Sequence, residues 1–247
     1  MSKLKDRILS YEESSSYKIL PKLPLIISVN GRNFSSITNL LDKPFDTGMY
    51  DCLASTMKRL CVEIEGAVFG YLYNDNIIII SRNDQNIATT PWYNNNIQKL
   101  TSVISSISTF HFNKCADHIG LQTSGDPLFY TKVFPVPSVI EAINTIIYYQ
   151  QLNFTISIHF SCYYELIKKY NKSQIKNMLV NLSQTERIEL LKKECNVDFK
   201  DYSSSFRRGS ACFKDYSGDQ NEKSNWIIVN DLPIFTQEQS FLKDILN

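Results

Sequence analysis

Two short stretches carry residues able to do metal and phosphate chemistry. The first is Asn30-Gly31-Arg32-Asn33-Phe34-Ser35, which closes the apolar run 25–29. The second is Asn74-Asp75-Asn76, set between the runs 67–73 and 77–81. Phosphoryl transfer with two divalent ions needs hard oxygen ligands held close together. A buried strand that ends beside the tip of a hairpin supplies that geometry, so Asn30 and Asp75 are the expected metal ligands, with side-chain oxygens close enough to share one ion. Gly31 lets the backbone turn sharply, and amides around it can cradle a phosphate. Taken singly, each motif is equally an ordinary glycine turn or an Asn/Asp hairpin tip. Their spacing favours the functional reading.

Other candidates stand further along. Lys43, beside Pro44, is placed to neutralise a triphosphate or else is a solvated lysine. The turn Phe206-Arg207-Arg208-Gly209-Ser210 is basic and suited to a phosphate backbone, or is simply solvated. Trp92 and Tyr93 open a helix, where they stack on a base or, as the plainer alternative, pack inside. Lys99 falls near the start of that helix, where it opposes the macrodipole, a mild cost that points to an anionic partner.

The elements that must position these residues follow from periodicity. Residues 2–17 read as a helix ending near Ser14-Ser15-Ser16, and 25–29 as a buried strand. Asp46 is a plausible N-cap for a helix whose buried face repeats as Met49, Leu53, Met57, Leu60, Cys61 and Ile64. Residues 67–73 and 77–81 form the hairpin, 94 to about 110 a helix, and 128–134 a strand closed by Pro135 and Pro137. Ser138 caps a helix to about 149, with further helices near 153–170, 173–180 and 185–194. A strand at 226–229 and a short helix end the chain. The order β-α-β-β-α-β is that of a ferredoxin-like palm, an α+β fold, followed by a helical portion. The reading is one domain over 1–247: palm core 18–137, helical portion 138–214 and tail 215–247.

Composition sets bounds on function. The chain has 247 residues, long enough for a sizeable core, and its 43% hydrophobic and 21% charged residues are those of a soluble globular protein. A net charge of +1 gives no global basic field, so a nucleic-acid partner needs a local basic patch. No apolar run approaches the ~20 residues that span a bilayer, so no membrane role is expected. The charged stretch 1–6 leads into no apolar signal core, and a cytoplasmic protein is expected. The six cysteines form no CxxC pair and read as reduced, mostly buried thiols. The three histidines show no zinc-ligand spacing with them.

Five pieces, in order and spacing, resemble the tRNA(His) guanylyltransferase family, closest to its guanylyltransferase-like branch of 3′–5′ nucleotide polymerases: Tyr11-Glu12, residues 25–34, Lys43-Pro44-Phe45-Asp46, residues 92–99 with Ser102, and residues 206–210. The resemblance spans about 6–213. It implies a palm-type nucleotidyltransferase that activates a tRNA 5′ end with ATP or GTP. A GTP 3′-hydroxyl then adds with the help of two Mg²⁺, and a cytoplasmic tetramer is implied. Position by position, Asn30, Gly31 and Asp75 fall on the metal positions. Asn30 through Ser35, with Lys43, Asp46, Asn74 and Asp75, fall on the nucleotide site, while Lys99, Arg207 and Arg208 are expected on RNA phosphates.

The chain departs from the family where the chemistry is densest. Asn30 replaces a metal aspartate, and Asn76 replaces the glutamate of a Ser-Asp-Glu tip. A Phe-Asp-Ala-Arg stretch is Phe129-Tyr130-Thr131-Lys132, and a Trp-Arg-Gln-x-Asp stretch is Tyr148-Tyr149-Gln150-Gln151-Leu152. A neutral amide brings no charge to Mg²⁺. Three readings follow: a nucleotidyltransferase with an altered metal site, a degenerate member that binds nucleotide or tRNA, or a palm kept only as structure. Asp42 and Asp46 are the acids available to compensate.

Overall fold

The computed structural model describes residues 2–86, 88–215 and 225–246. In chain order its main elements are α1 (Ser2–Ser14), β1 (Leu25–Arg32), α2 (Phe34–Ile37), α3 (Thr47–Glu63), β2 (Ala67–Tyr73), β3 (Asn76–Ser81), α4 (Ile97–Ile119), β4 (Leu128–Pro135), α5 (Val139–Leu166), α6 (Lys172–Leu179), α7 (Gln184–Cys195), α8 (Ser204–Arg208), β5 (Ser210–Asp215), β6 (Asn225–Val229) and α9 (Ser240–Leu246). The strands form one sheet in the order β4-β1-β3-β2-β5-β6, with every neighbouring pair antiparallel. Strands β1 to β4, with α3 and α4 as crossovers, make the βαββαβ palm.

Alternation along β1 sends its side chains to two cores. Leu25, Ile27 and Val29 join Ile77, Ile79 and the buried faces of α3 and α4. Ile26 joins Phe69, Tyr71, Ile78 and Ile80 beneath the first half of α5 and the tail helix α9. Because helices cover both faces, β2 and β3 read as near-continuous apolar runs rather than as alternating ones. A third cluster joins Ile158, Cys162 and Leu166 of α5 to Ile175, Leu191 and Phe206. No helix among the described residues is long and apolar enough to cross a membrane.

The structure corrects three expected elements. The helix expected to stop near 149 and restart near 153 is the continuous α5, 28 residues long. The polar Gln150-Gln151 pair looked like a break, but Gln150 is buried and grips the tail. Its Nε2 donates to Pro233 O (2.9 Å) and its Oε1 accepts from Phe235 N (2.8 Å). The helix expected over 94–110 is α4, which starts at Ile97 because Tyr93, Asn94 and Asn95 are left-handed at φ +48°, +51° and +55°. It runs on to Gly120, whose φ of +67° ends it, and so buries Phe112 and Ala116 as well. The third correction is β5, which was not foreseen. Gly209 turns the chain from α8 into it at φ +79°, and a Cβ there would lie 2.5 Å from Leu72 O. The expected tail strand is β6 and the short helix is α9.

Candidate nucleotide site

Where β1 ends, the hairpin tip meets it. Asn30 pairs in register with Asn76, and Gly31 N donates to Asp75 O (3.1 Å). Tyr73 and Asn76 are themselves paired, so the tip is the two residues Asn74 and Asp75, with Asn74 left-handed at φ +47°. Short polar side chains tolerate that conformation. Gly31 has a packing reason of its own, since a Cβ there would lie 2.4 Å from the Phe34 ring. That ring is tucked against Phe129 and Phe112, at 5.1 and 5.6 Å between centroids.

Beside the tip lies a cavity of about 240 Å³. The chain from Phe34 to Tyr50, the tip, the second half of α5 and α8 enclose it. Phe34, Ser35, Lys43, Asp46, Asn74 and Asp75, all singled out in the sequence, line it. Lys43 Nζ donates to Thr38 Oγ1 (3.1 Å) and sits 5.7 Å over the Tyr164 ring. Desolvation lowers its pKa, with Asp46 pulling the other way. Burial raises the Asp75 carboxyl above the usual range, partly offset by a bond from its own backbone. Asp75 Oδ1 accepts from Asn76 Nδ2 (3.0 Å). Asn74 Nδ2 is buried with no hydrogen-bond partner among the described residues. An ammonium, an unpaired amide donor and an aromatic wall of Phe45, Phe160, Tyr164 and Phe206 are the mix of groups a nucleotide needs.

Asp46 is committed elsewhere. Its Oδ1 accepts from Met49 N (2.7 Å) as the cap of α3, and its Oδ2 accepts from Asp42 N (3.2 Å). Both oxygens therefore hold backbone, which leaves Asp46 poorly placed to compensate for a missing metal ligand. Asn33 is left-handed at φ +56° and turns the chain into α2, and Arg32 is exposed opposite Leu128.

Asn30 is engaged away from the cavity. By strand alternation it shares a face with Ser28 and Ile26, and its Nδ2 donates to Ser28 O and to Ser28 Oγ, both at 3.1 Å. Asn30 sits in register with Tyr130. Tyr149 lies near the Ser28 side chain and stacks on Tyr73 at 5.4 Å, with Tyr148 edge-on to Tyr149 at 5.3 Å. Asn30, Tyr130, Tyr148 and Tyr149, four of the positions where this sequence departs from the resemblance, thus lie on one patch of sheet and helix, whereas Thr131 bonds Ser105 of α4 instead. Of the proposed metal residues, only Asp75 lines the cavity; Asn30 and Gly31 do not. Among the described residues, no cluster of three or more His, Cys, Asp or Glu is placed to hold a metal ion.

The three basic candidates are divided. Lys99 is exposed on the first turn of α4, which packs with α3 on one side of the sheet. Arg207 and Arg208 lie on α8 beside α5. Arg207 Nε donates to Tyr202 O (2.8 Å) and Arg208 Nη1 to Leu232 O (2.7 Å).

Comparison with known proteins places this architecture. The model of the tRNAHis guanylyltransferase (Thg1) family matches residues 5–137. The chain belongs to this family. It is 25% identical over 217 residues to tRNA(His) guanylyltransferase 2 of Arabidopsis thaliana, an alignment covering 83% of the chain but only 39% of the plant protein. It is 23% identical to the uncharacterized protein R259 of Acanthamoeba polyphaga mimivirus, over 96% of the chain and 85% of that protein. Among solved structures it is similar to a bacterial Thg1-like protein in complex with ATP, with TM-score 0.86, 24% identity and 99% of both chains covered. The Saccharomyces cerevisiae family member superposes with TM-score 0.76 at 14% identity, over 93% of this chain and 98% of the yeast one. These likenesses establish the palm-like fold. Within it, sequence reasoning missed Thr38, Tyr50, Phe160 and Tyr164 as cavity walls. The spacing of Phe160 and Tyr164, one helical turn apart, was the available signal for the last two.

Proposed function

We propose that this family member binds a nucleoside triphosphate in the cavity beside the Asn74–Asp75 tip and binds tRNA, with its metal-dependent nucleotidyl-transfer centre eroded. ATP and GTP are the proposed nucleotides, in line with the bacterial relatives described as complexes with each. Lys43 meets the phosphates, Asn74 donates an amide hydrogen bond, and the aromatic wall receives the base. A tRNA partner, 3′–5′ addition as the ancestral chemistry, a tetramer and a cytoplasmic setting follow the family resemblance.

The observation that carries the reading is the Asn30 amide, turned onto Ser28 at 3.1 Å within a patch that also holds Tyr130 and Tyr149. A two-ion centre does not fit these residues. Of the two metal positions that the family fills with aspartate, one carboxylate remains, Asp75, whose pKa burial raises; of the other acids lining the cavity, Asp46 holds backbone with both oxygens and Asp42 is exposed. A first-shell charge lost should cost at least the roughly 10–100-fold known for disturbing an outer-shell partner. Mg²⁺ therefore enters with the nucleotide, as a counter-ion to its phosphates. A second reading, slow transfer at raised metal, has one observation in its favour: Asp75 still lines the cavity.

Titration calorimetry with ATP and with GTP tests the proposal. Binding that Lys43→Ala weakens supports it. No binding of either nucleotide, with or without Mg²⁺, removes it.

A further inference from the structure

A larger concavity, about 960 Å³, lies apart from the nucleotide cavity and shares no lining residue with it among the described residues. One face of α5 forms its floor, with Tyr148, Gln151, Leu152 and Thr155 at helical spacing. The first turns of α7, the turn Phe199–Asp201, α8 and the tail segment with Ile234 and Thr236 enclose the rest. Its volume is at the upper end of those that hold small organic ligands.

The charge of this groove is one-sided. Lys200, Arg207 and Arg208 line it, and among the described residues no Asp or Glu does. Lys200 Nζ makes no hydrogen bond or ion pair among the described residues. Arg207 uses Nε on Tyr202 O, and its terminal guanidinium nitrogens have no protein partner among the described residues. Arg208 is pinned by Leu232 O, and its nearest acid, Asp231, is 3.8 Å away with its side chain 88% exposed. Packing desolvates Arg207 and Arg208 repels it, with the exposed Asp231 pulling the other way, so an incoming anion offsets the repulsion between the two arginines. A solvated basic surface lacks three properties found here: two arginines fixed by backbone bonds, a third cation within nine residues of sequence, and a concave floor that mixes Tyr148 and Leu152 with Gln151 and Thr155. The opposite wall is neutral and polar, with Gln184 Nε2 donating to Thr155 Oγ1 (2.7 Å).

We propose that this groove is a nucleotide-binding site separate from the nucleotide cavity: phosphate at Lys200, Arg207 and Arg208, and the base and sugar along Tyr148, Gln151 and Gln184. Phosphates position through cations, and bases through stacking and amide hydrogen bonds. The same chemistry is carried by a free nucleoside triphosphate and by a nucleotide within an unpaired RNA strand. The assignment rests on the groove's own lining and not on the reading of the cavity.

The test uses the full chain, ATP in titration calorimetry and a short unpaired oligoribonucleotide in filter binding. The variant is Lys200→Glu with Gln184→Glu. The first change removes a cation that makes no hydrogen bond or ion pair among the described residues and acts only at longer range on Asp198, and the second places an acid in the first turn of a helix, where it is tolerated. A second ATP site weakened about tenfold or more in this variant, and kept in Lys43→Ala, supports the proposal with free nucleotide as ligand. A single ATP site together with a tenfold loss of oligoribonucleotide binding and a shallower salt dependence supports it with RNA as ligand. Lys200→Ala, which breaks no hydrogen bond or ion pair of the side chain among the described residues, reads the same effects at smaller amplitude should the double variant unfold. Both probes binding a folded variant as they bind wild type, or neither ATP at a second site nor the oligoribonucleotide binding wild type, overturns it. A groove-sensitive site in wild type with no ATP site that responds to Lys43→Ala refutes the cavity reading and leaves the groove standing.

Discussion

Restoring the missing acid is the most informative single change. In Asn30→Asp the side chain loses the Nδ2 that donates to Ser28 O and Ser28 Oγ, both at 3.1 Å. Two side-chain hydrogen bonds of ordinary net worth amount to about 1–3 kcal/mol. The new carboxylate also faces the Ser28 carbonyl from a half-buried place, so its folded pKa is raised above the unfolded value. A carboxyl shifted upward stabilises the fold while protonated and loses that contribution as pH rises through the folded pKa. The variant should therefore be less stable than wild type by about 1–3 kcal/mol at neutral pH in chelator, with the gap closing on acidification. Denaturant unfolding at the two pH values measures this. If the introduced carboxylate and Asp75 then share an ion, Mn²⁺ at a hundredfold excess over its Kd returns about 2.7 kcal/mol to the variant and little to wild type. An Asn30→Asp protein as stable as wild type in chelator at neutral pH would refute the claim that Asn30 is held by Ser28.

Three further outcomes are expected. Asp75 is kept desolvated with its pKa raised, so its stability contribution is fullest below the usual carboxylate range and falls as pH rises through the folded value. Asp75→Asn should melt higher than wild type at pH 7 and equally at acid pH, and thermal scans showing no gain at pH 7 would count against the burial argument. Lys43→Ala should weaken ATP binding by about 1–3 kcal/mol, the scale of a hydrogen bond to a charged group. An unchanged calorimetric Kd places the phosphates elsewhere. Gly209→Ala forces a Cβ to 2.5 Å from Leu72 O at φ +79°, so it should destabilise by about 1–3 kcal/mol; equal denaturation midpoints would mean that the α8–β5 turn adjusts freely.

The palm was legible because its signals are local. The repeat Met49-Leu53-Met57-Leu60 marks α3, the Asp46 cap marks its start, and four consecutive isoleucines, Ile77 to Ile80, mark a strand buried on both faces. Polarity misled where it serves a distant partner. Gln150 looked like a helix end because nothing nearby reveals Pro233 and Phe235. The same holds for Ser210–Asp215, whose pairing partner β2 lies more than a hundred residues earlier. Half of the cavity was visible in Lys43, Asp46 and the tip. The other half arrives from Phe160, Tyr164 and Phe206, whose place beside the tip is set by tertiary packing. The engagement of Asn30 with Ser28, two residues away on the same strand face, could have been read from alternation and was not.

The most direct measurement is incorporation of labelled GTP into a tRNA lacking its 5′ nucleotide, run with wild type and Asn30→Asp at limiting Mg²⁺ beside parallel nucleotide-binding titrations. An eroded metal centre predicts that wild type binds nucleotide without incorporating it, while Asn30→Asp gains any activity that appears. Robust incorporation by wild type at limiting Mg²⁺ would contradict the account.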